Sequence, residues 1–391
     1  DLTEKMGYWV DMEDPYVTYK SKYMESVWWL LKKIYEKDLL YKGYTIQPYS
    51  PKAGTGLSSH EVNQPGSYRD ITDTTIVAQF KAKEKTLPSF LKGFGTVHFL
   101  AWTTTPWTIP VNQALAYGPE VEYVISEVAG RRYIYALDLE RAFLSRLGVE
   151  SVDRGHGTLK AGALADATVR HPMHELGGFF AKPRPMLAGD FVTTDSGTGL
   201  VHMAPDHGED DFDLCKANGI EPVFAVEGDG KYRADWLWLG GEGSVINPKF
   251  NAPDGPICSD LREAGALLAA SADYAHSYPH SWRSKAKVIF RCTPQWFVPM
   301  DKATADGTLR EKAMTAISDT RWVPEKGQNR ITAMVEGRPD WVLSRQRAWG
   351  VPITLFVDRK SGQYLCDAGV NARIIAGIRE NGVDGWSDER A

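Results

Sequence analysis

Met24, Val27, Trp28, Leu31 and Ile34 recur at three- and four-residue intervals, so the spacing predicts an amphipathic helix over 23–40. Lys32, Lys33 and Glu36 fall on its polar side. Gln47–Gly66 is rich in Pro, Gly and Ser and reads as an irregular connection. From Thr74 the rhythm shortens. Thr74–Phe80, Val97–Trp102, Val121–Val128, Arg132–Leu137, Asp190–Thr194 and Gly199–Met203 read as strands parted by Gly, Pro and Asp turns, the texture of a β-rich module with a barrel or mixed sheet. A helix is predicted from Gly208 to Gly219. Glu209, Asp210 and Asp211 fill its first turn, where carboxylates suit the positive end of the dipole, and Gly219 is its C′ residue. A second helix is predicted over Asp260–Ala270.

The 391 residues imply two or three domains, and 43% hydrophobic with 24% charged residues is the balance of an ordinary globular chain. No apolar run reaches the roughly 18 residues of a membrane span, so no membrane partner is expected. The chain opens at Asp1 without a signal-like segment and reads as part of something longer. Cys215, Cys258, Cys292 and Cys366 form no C-x-x-C pair, which points to free thiols in a cytoplasmic protein and away from a zinc ribbon. A net charge of −5 excludes a uniformly basic nucleic-acid binder, so RNA contact needs a local patch. Arg283, Lys285, Lys287, Arg291, Arg321, Lys326, Arg330, Arg338, Arg345 and Arg347 make the stretch after Trp282 the candidate; a solvated basic surface is the plainer alternative. Residues 1–130 hold 12 Lys and 1 Arg, residues 131–391 hold 11 Lys and 21 Arg, which suggests a junction of two differently biased sequences near Val128–Arg132.

Two segments carry candidate chemistry. The first, Trp102-Thr103-Thr104-Thr105-Pro106-Trp107-Thr108-Ile109-Pro110 with Asn112 beyond, follows a predicted strand. It sets several hydroxyls at a strand end, in a loop stiffened by two prolines, and suits ribose or ester oxygens. A Thr-rich strand edge is the structural alternative. The second, Gly197-Thr198-Gly199-Leu200-Val201-His202-Met203-Ala204-Pro205-Asp206-His207-Gly208-Glu209-Asp210-Asp211, runs from a strand into a helix start and packs two His and four carboxylates into ten residues. A metal bound by His202, Asp206 and His207 is one reading, though no H-x-H or Cys/His cluster supplies a convincing third anchor; His202 as a core or pocket-wall residue is the other.

Thr103–Asn112 and Gly197–Asp211 resemble the two signature segments of the editing domain of isoleucyl-tRNA synthetases, class I enzymes. Valyl and leucyl relatives generally carry Arg-Pro after the threonines, whereas Thr105-Pro106-Trp107-Thr108 follows the isoleucyl form. Tyr8-Trp9-Val10-Asp11, Glu25-Ser26-Val27-Trp28-Trp29, Pro48-Tyr49-Ser50, Thr293-Pro294-Gln295-Trp296-Phe297 and Ser344-Arg345-Gln346-Arg347-Ala348-Trp349-Gly350 resemble segments flanking that insertion. Two departures stand out. The adenylate-forming H-I-G-H and K-M-S-K-S signatures are absent, and Ser50-Pro51-Lys52-Ala53 stands where some relatives carry C-x-x-C and a structural zinc.

The resemblance implies an α/β fold: a β-rich editing domain over 72–281, barrel-like, with a mixed sheet and helices, inserted between 1–71 and 282–391 of a Rossmann-type catalytic domain. It implies post-transfer editing that hydrolyses Val-tRNA(Ile), with pre-transfer editing left open, Asp211 holding the α-ammonium and His202 lining the side-chain pocket. Thr103, Thr104 and Thr105 are then expected to hold the terminal adenosine and position water, with Trp107 and Asn112 supporting loop and ligand. No metal or cofactor is expected for editing, while the parent enzyme uses ATP and Mg. The expected partner is the acceptor end of tRNA(Ile), met by a cytoplasmic monomer. A catalytically silent tRNA-binding insertion and a metal-dependent hydrolase stay open as alternatives.

Overall fold

The computed structural model describes residues 2–87, 91–92, 95–153, 157–344, 350–358 and 361–386. The chain divides into two compact units, Asp1–Gly43 with Pro294–Ala391, and Tyr44–Thr293.

In the first unit the amphipathic helix runs over Ser21–Glu36, two residues earlier than the spacing predicts and ending before Asp38, which takes a left-handed φ of 57°. Met24 is its buried residue, Val27, Trp28, Leu31 and Ile34 are half-buried, and Lys32 and Lys33 pair with Glu36 on the exposed side. Trp28 Nε1 donates to the Pro352 carbonyl at 2.9 Å, and the Arg379 fork holds Glu25 at 2.7 and 2.5 Å. Helix Leu309–Asp319 starts on a capping box of Thr308 and Glu311, which satisfies two otherwise orphaned amides.

The second unit carries ten strands used below: β1 Tyr68–Lys81, β2 Val97–Thr103, β3 Ala114–Tyr117, β4 Glu122–Val128, β5 Arg131–Ala136, β6 Thr158–Lys160, β7 Thr168–Arg170, β8 Pro183–Ala188, β9 Leu200–Met203 and β10 Leu267–Pro279. Helices α1 Glu209–Ala217 and α2 Pro256–Glu263 join them. Among the described residues the strands form an open six-stranded sheet, β10-β1-β2-β5-β4-β6, and a four-stranded sheet, β9-β3-β8-β7. One Ala82↔Val169 bridge links them, so the barrel-like expectation resolves into two mixed sheets with a shared core. Phe80, Phe99, Ile125 and Ile134 of the larger sheet meet Leu115, Met186 and Val169 of the smaller. Val77, Leu100, Val124, Tyr133, Tyr135 and Phe143 bury the larger sheet's other face.

Several expectations need correction. Gln47–Gly66 is not irregular throughout: strand Tyr41–Ser50 pairs antiparallel with Thr55–Gly56, and Pro51 to Gly54 closes the hairpin, Gly54 supplying a φ of 64°. Asp190–Thr194 is a turn, and the strand precedes it as β8. Prolines masked β8, since Pro183 and Pro185 cannot donate to a ladder; they sit on the part paired to β7, and the parallel pairing with β3 starts at Met186. Helix α2 covers Pro256–Glu263 rather than Asp260–Ala270. Gly265 stops it with a φ of 66°, and Leu267 to Ala270 join β10 because pairing with β1 outweighs the helix preference of Leu and Ala. Within the Tyr44–Thr293 unit, Gln47 bonds Thr293 and Tyr44 packs on Phe224. The composition switch near Val128–Arg132 falls on the turn of the β4–β5 hairpin, where Ala129 and Gly130 take φ of 50° and 75° and Glu127 pairs with Arg132 at 3.0 Å. Arg345 and Arg347, and with them most of the segment from Ser344 to Gly350, lie outside the described residues.

Gly199 makes the closest approach in this unit. Its φ is 75°, and a Cβ there would lie 2.2 Å from the Ala136 Cβ, at the end of β5 where Ala136 N donates to the Thr198 carbonyl at 2.8 Å. Gly199→Ala should therefore cost about 2–4 kcal/mol, combining left-handed strain with overpacking. Gly219→Ala, at a similar φ but with open space around it, should cost roughly 1 kcal/mol. Urea unfolding midpoints of the two variants test this; equal losses would mean that Gly199 is held by φ alone.

Candidate functional site

The smaller sheet assembles the site. Strand β9 pairs antiparallel with β3 in the register His202↔Leu115 and Met203↔Ala114. Residues just before β3 thereby lie beside His202, though some 90 positions separate them in the chain. Pro106–Val111 forms a 3-10 turn with every residue buried, and its prolines fix the entry and exit. The Thr103–Asn112 loop is thus a braced connection between β2 and β3.

The hydrogen bonds converge on Thr108 Oγ1. Asn112 Nδ2 lies 2.8 Å from the Ala114 carbonyl, which places the amide nitrogen on that side, and 3.3 Å from His202 Nδ1. Nδ1 therefore accepts, and the imidazole proton sits on Nε2, 2.7 Å from Thr108 Oγ1. Thr108 Oγ1 donates to the Thr105 carbonyl at 2.8 Å and lies 3.2 Å from Thr105 Oγ1. Thr105 Oγ1 lies 3.2 Å from Thr103 Oγ1, which in turn accepts from Thr105 N at 3.1 Å. With Thr108 already accepting from His202 and donating to a carbonyl, the only consistent order is Thr103 to Thr105 to Thr108. Thr103, Thr108, Asn112 and His202 are buried; Thr104 and Thr105 are half-buried. Asn112 Oδ1 is buried without a hydrogen-bond partner among the described residues.

His202 is held neutral. Burial, aided by His207, lowers its pKa to about 3, and both ring nitrogens are already engaged. A general base needs a free lone pair and a pKa near the working pH, and His202 has neither.

Asp211 stands at the start of α1, behind Gly208, which serves as N-cap with an extended backbone. Its carboxyl turns inward, where Oδ2 accepts from Ala204 N at 2.6 Å. A Cβ on Gly208 would lie 2.7 Å from Asp211 Oδ1, so the glycine leaves room for the carboxyl. Burial raises its pKa to about 7 against the Ala204 amide, which lowers it; Asp210 raises it further. Asp211 is thus tied to the end of β9, two residues beyond His202.

Trp107 is buried, its carbonyl accepts from the Tyr232 hydroxyl, and its ring meets His207 edge-on at 4.7 Å. Asp206 accepts from Val223 N at 3.1 Å and Phe224 N at 2.5 Å, and His207 Nδ1 donates to the Phe290 carbonyl at 2.8 Å. Among the described residues no group of three His, Cys, Asp or Glu is arranged to hold a metal ion. Ser50 Oγ lies 3.1 Å from Ser284 Oγ. In the basic segment, Lys287 pairs with Asp73 and Arg291 donates to the Val226 carbonyl, while Arg321, Lys326, Arg330 and Arg338 are exposed. Thr108 was missed by sequence reasoning; its signal was the three-residue offset from Thr105, which one turn of 3-10 helix eclipses. Open clefts of about 760 and 530 Å³, lined around Trp29 and Arg379 and around Glu140 and Glu150, contain none of these residues. The site is defined by the bonded polar groups around His202 rather than by either of these clefts.

The chain matches the family described as tRNA synthetases class I (I, L, M and V) over residues 1–390. It is 52% identical over 392 residues to an isoleucine--tRNA ligase of Zymomonas mobilis, an alignment covering 98% of this chain and 40% of that protein. An isoleucine--tRNA ligase of Gluconobacter oxydans is 44% identical over 369 residues, covering 89% of this chain and 36% of that one. The chain thus spans about 40% of the length of the curated relatives it matches. Among solved structures, the editing domain of a P. falciparum cytosolic leucyl-tRNA synthetase aligns at 12% identity with a TM-score of 0.30, covering 39% of this chain and 68% of that one.

Because Asp211 is raised above its ordinary carboxylate value, the fold favours its protonated form. That contribution to stability is complete below about pH 4 and is lost as the pH rises through about 7. Asp211→Asn should flatten the fall in the urea midpoint between pH 4 and pH 8. Parallel profiles for the variant and the parent chain would mean that this carboxyl ionises normally.

Proposed function

The chain belongs to the class I tRNA synthetases (I, L, M and V), and on that premise we propose that its Tyr44–Thr293 unit hydrolyses the valyl ester of tRNA(Ile). The need for such a site is physical. A pocket sized for isoleucine rejects valine by only about 1–3 kcal/mol, a limit for which isoleucyl-tRNA synthetases are themselves the usual example. A second, smaller site that admits valine and excludes isoleucine supplies the missing discrimination.

The observation that carries this reading is the chain of bonds from Asn112 through His202 and Thr108 to Thr105, with the Asp211 carboxyl turned in at the end of the same strand. In the proposed roles, Asp211 takes the α-ammonium in a charge-assisted contact. His202, rigid and neutral, is a wall against the larger side chain. Thr103, Thr104 and Thr105 hold the terminal adenosine and the attacking water. Asn112, which holds His202 Nδ1, and Trp107 support the loop and the ligand. An aminoacyl ester is already activated, so positioning supplies most of what the reaction needs. The step is post-transfer editing of tRNA(Ile); the same site also suits pre-transfer editing. The parent enzyme, a cytoplasmic monomer on this reading, ligates isoleucine with ATP and Mg in a Rossmann-type core to which 1–71 and 282–391 contribute.

The metal-dependent alternative is disfavoured by bonding. His202 has no nitrogen to spare, and Asp206 is committed to two backbone amides. A silent tRNA-binding insertion would not require an imidazole locked between Asn112 and Thr108 beside a loop of hydroxyls.

Deacylation of Val-tRNA(Ile) and Ile-tRNA(Ile) by this chain tests the proposal, and a folded chain that cleaves neither would sink it. Asp211→Ala should nearly abolish cleavage of the valyl ester while the chain still folds, at a cost of about 1–3 kcal/mol for the Ala204 amide left without its acceptor. Full activity in that variant would remove Asp211 from the site.

His202→Ala should open the sieve: Ile-tRNA(Ile) becomes a substrate while Val-tRNA(Ile) is cleaved at a similar or reduced rate. If His202 were instead the base, both rates should fall by about 10²–10⁴. A time course on Ile-tRNA(Ile) separates the two.

A further inference from the structure

His171 belongs to neither signature segment and lies just past β7, yet it is wholly buried. Its ring is met edge-on by Phe180 at 4.9 Å, Trp238 at 6.3 Å, Phe179 at 6.4 Å and Phe80 at 6.5 Å. A phenylalanine would suit those neighbours. Burying two ring nitrogens is costly unless both are bonded, and here both are. Met173 N donates to Nδ1 at 3.0 Å, which fixes the proton on Nε2, and Nε2 donates to the Ile109 carbonyl at 2.9 Å.

That carbonyl lies in the braced turn of the site. It also accepts from Asn112 N at 3.0 Å, so one oxygen receives both His171 and the backbone of Asn112. The Asn112 side chain then holds His202 Nδ1. The aromatic cage prevents the His171 ring from swinging away, and burial together with the nearby Arg184 keeps it neutral, with a pKa well below its ordinary value. It is thus a fixed single donor.

We propose that His171 is a specificity-setting positioning residue: through the Ile109 carbonyl it fixes Asn112, and through Asn112 the orientation of the His202 wall. Its effect on substrate choice rests on the editing reading above; its effect on His202 does not. Loss of the Nε2 donor frees the carbonyl, lets Asn112 shift, and loosens the wall without touching Thr103 to Thr105.

Two polar replacements separate this from packing. The amide nitrogen of His171→Gln reaches the position of Nε2, whereas that of His171→Asn reaches only the position of Nδ1. Both lose the aromatic ring, so a purely structural role predicts equal damage. The expected result is that His171→Asn cleaves Ile-tRNA(Ile) about tenfold faster relative to Val-tRNA(Ile), the worth of one buried hydrogen bond, while His171→Gln stays near the parent ratio. In parallel, ¹⁵N NMR of the histidine rings, with His202 assigned through His202→Ala, should show the Nε2–H tautomer in the parent chain and in His171→Gln, and shifted or exchange-broadened His202 signals in His171→Asn. Unchanged His202 signals in a folded His171→Asn, or equal changes in both variants, would overturn the proposal. If no form cleaves either ester but the NMR difference appears, the editing reading fails and the positioning role stands. Should His171→Asn not fold, His171→Phe, which keeps the ring and drops the donor, takes its place with the same expected outcomes.

Discussion

The register His202↔Leu115 between β9 and β3 is the constraint on which the site depends. Side chains alternate across a sheet, so a slip of one residue would turn His202 to the other face and bring Val201 to Thr108. Several features hold the register. The Tyr123 hydroxyl spans the two chain segments, accepting from Gly118 N just after β3 and donating to the Gly199 carbonyl just before β9. Gly199 lies flat on Ala136 because it lacks a Cβ. The Thr198 hydroxyl donates to the Leu100 carbonyl at 2.6 Å, which ties the entry of β9 to β2. The Gly-Thr-Gly sequence is therefore a clamp that sets where β9 begins, and the chemistry two residues later inherits that position.

How much of this could be read from the chain follows from the range of the forces involved. The start of α1 was legible because its signals are local: a glycine cap, three acidic residues and Gly219 at the far end. Strands β2, β4 and β5 were legible because their apolar residues come in short runs bounded by turns. Strand β8 was not, since its prolines argue against a ladder until its partners are known. Strand β10 was not, since Leu and Ala favour a helix until the long pairing with β1 is known. Within the site, the two signature segments could be named, but the division of labour inside them could not. His202 and His207 sit five residues apart and look alike in sequence. One is locked between Asn112 and Thr108, and the other hangs from the Phe290 carbonyl against Trp107. His171 carried no signal at all, because its meaning lies in a carbonyl 62 positions away.

Burial acts on the two titratable groups of the site in opposite senses with the same result. It lowers His202 to about 3 and raises Asp211 to about 7, so each is pushed toward its uncharged form. His202 gains nothing from a charge it cannot share, since both of its nitrogens already serve the network. Asp211 differs, because Oδ2 accepts a single backbone bond and the carboxyl sits near its titration point at neutral pH. An ammonium arriving beside it would draw off the remaining proton and gain a fully charged partner in a water-poor setting. A neutral ligand would find the same carboxyl half protonated and offering little. On the proposed reading, recognition of the α-ammonium and rejection of the larger side chain are therefore separate tasks, given to one group that can change charge and one that cannot.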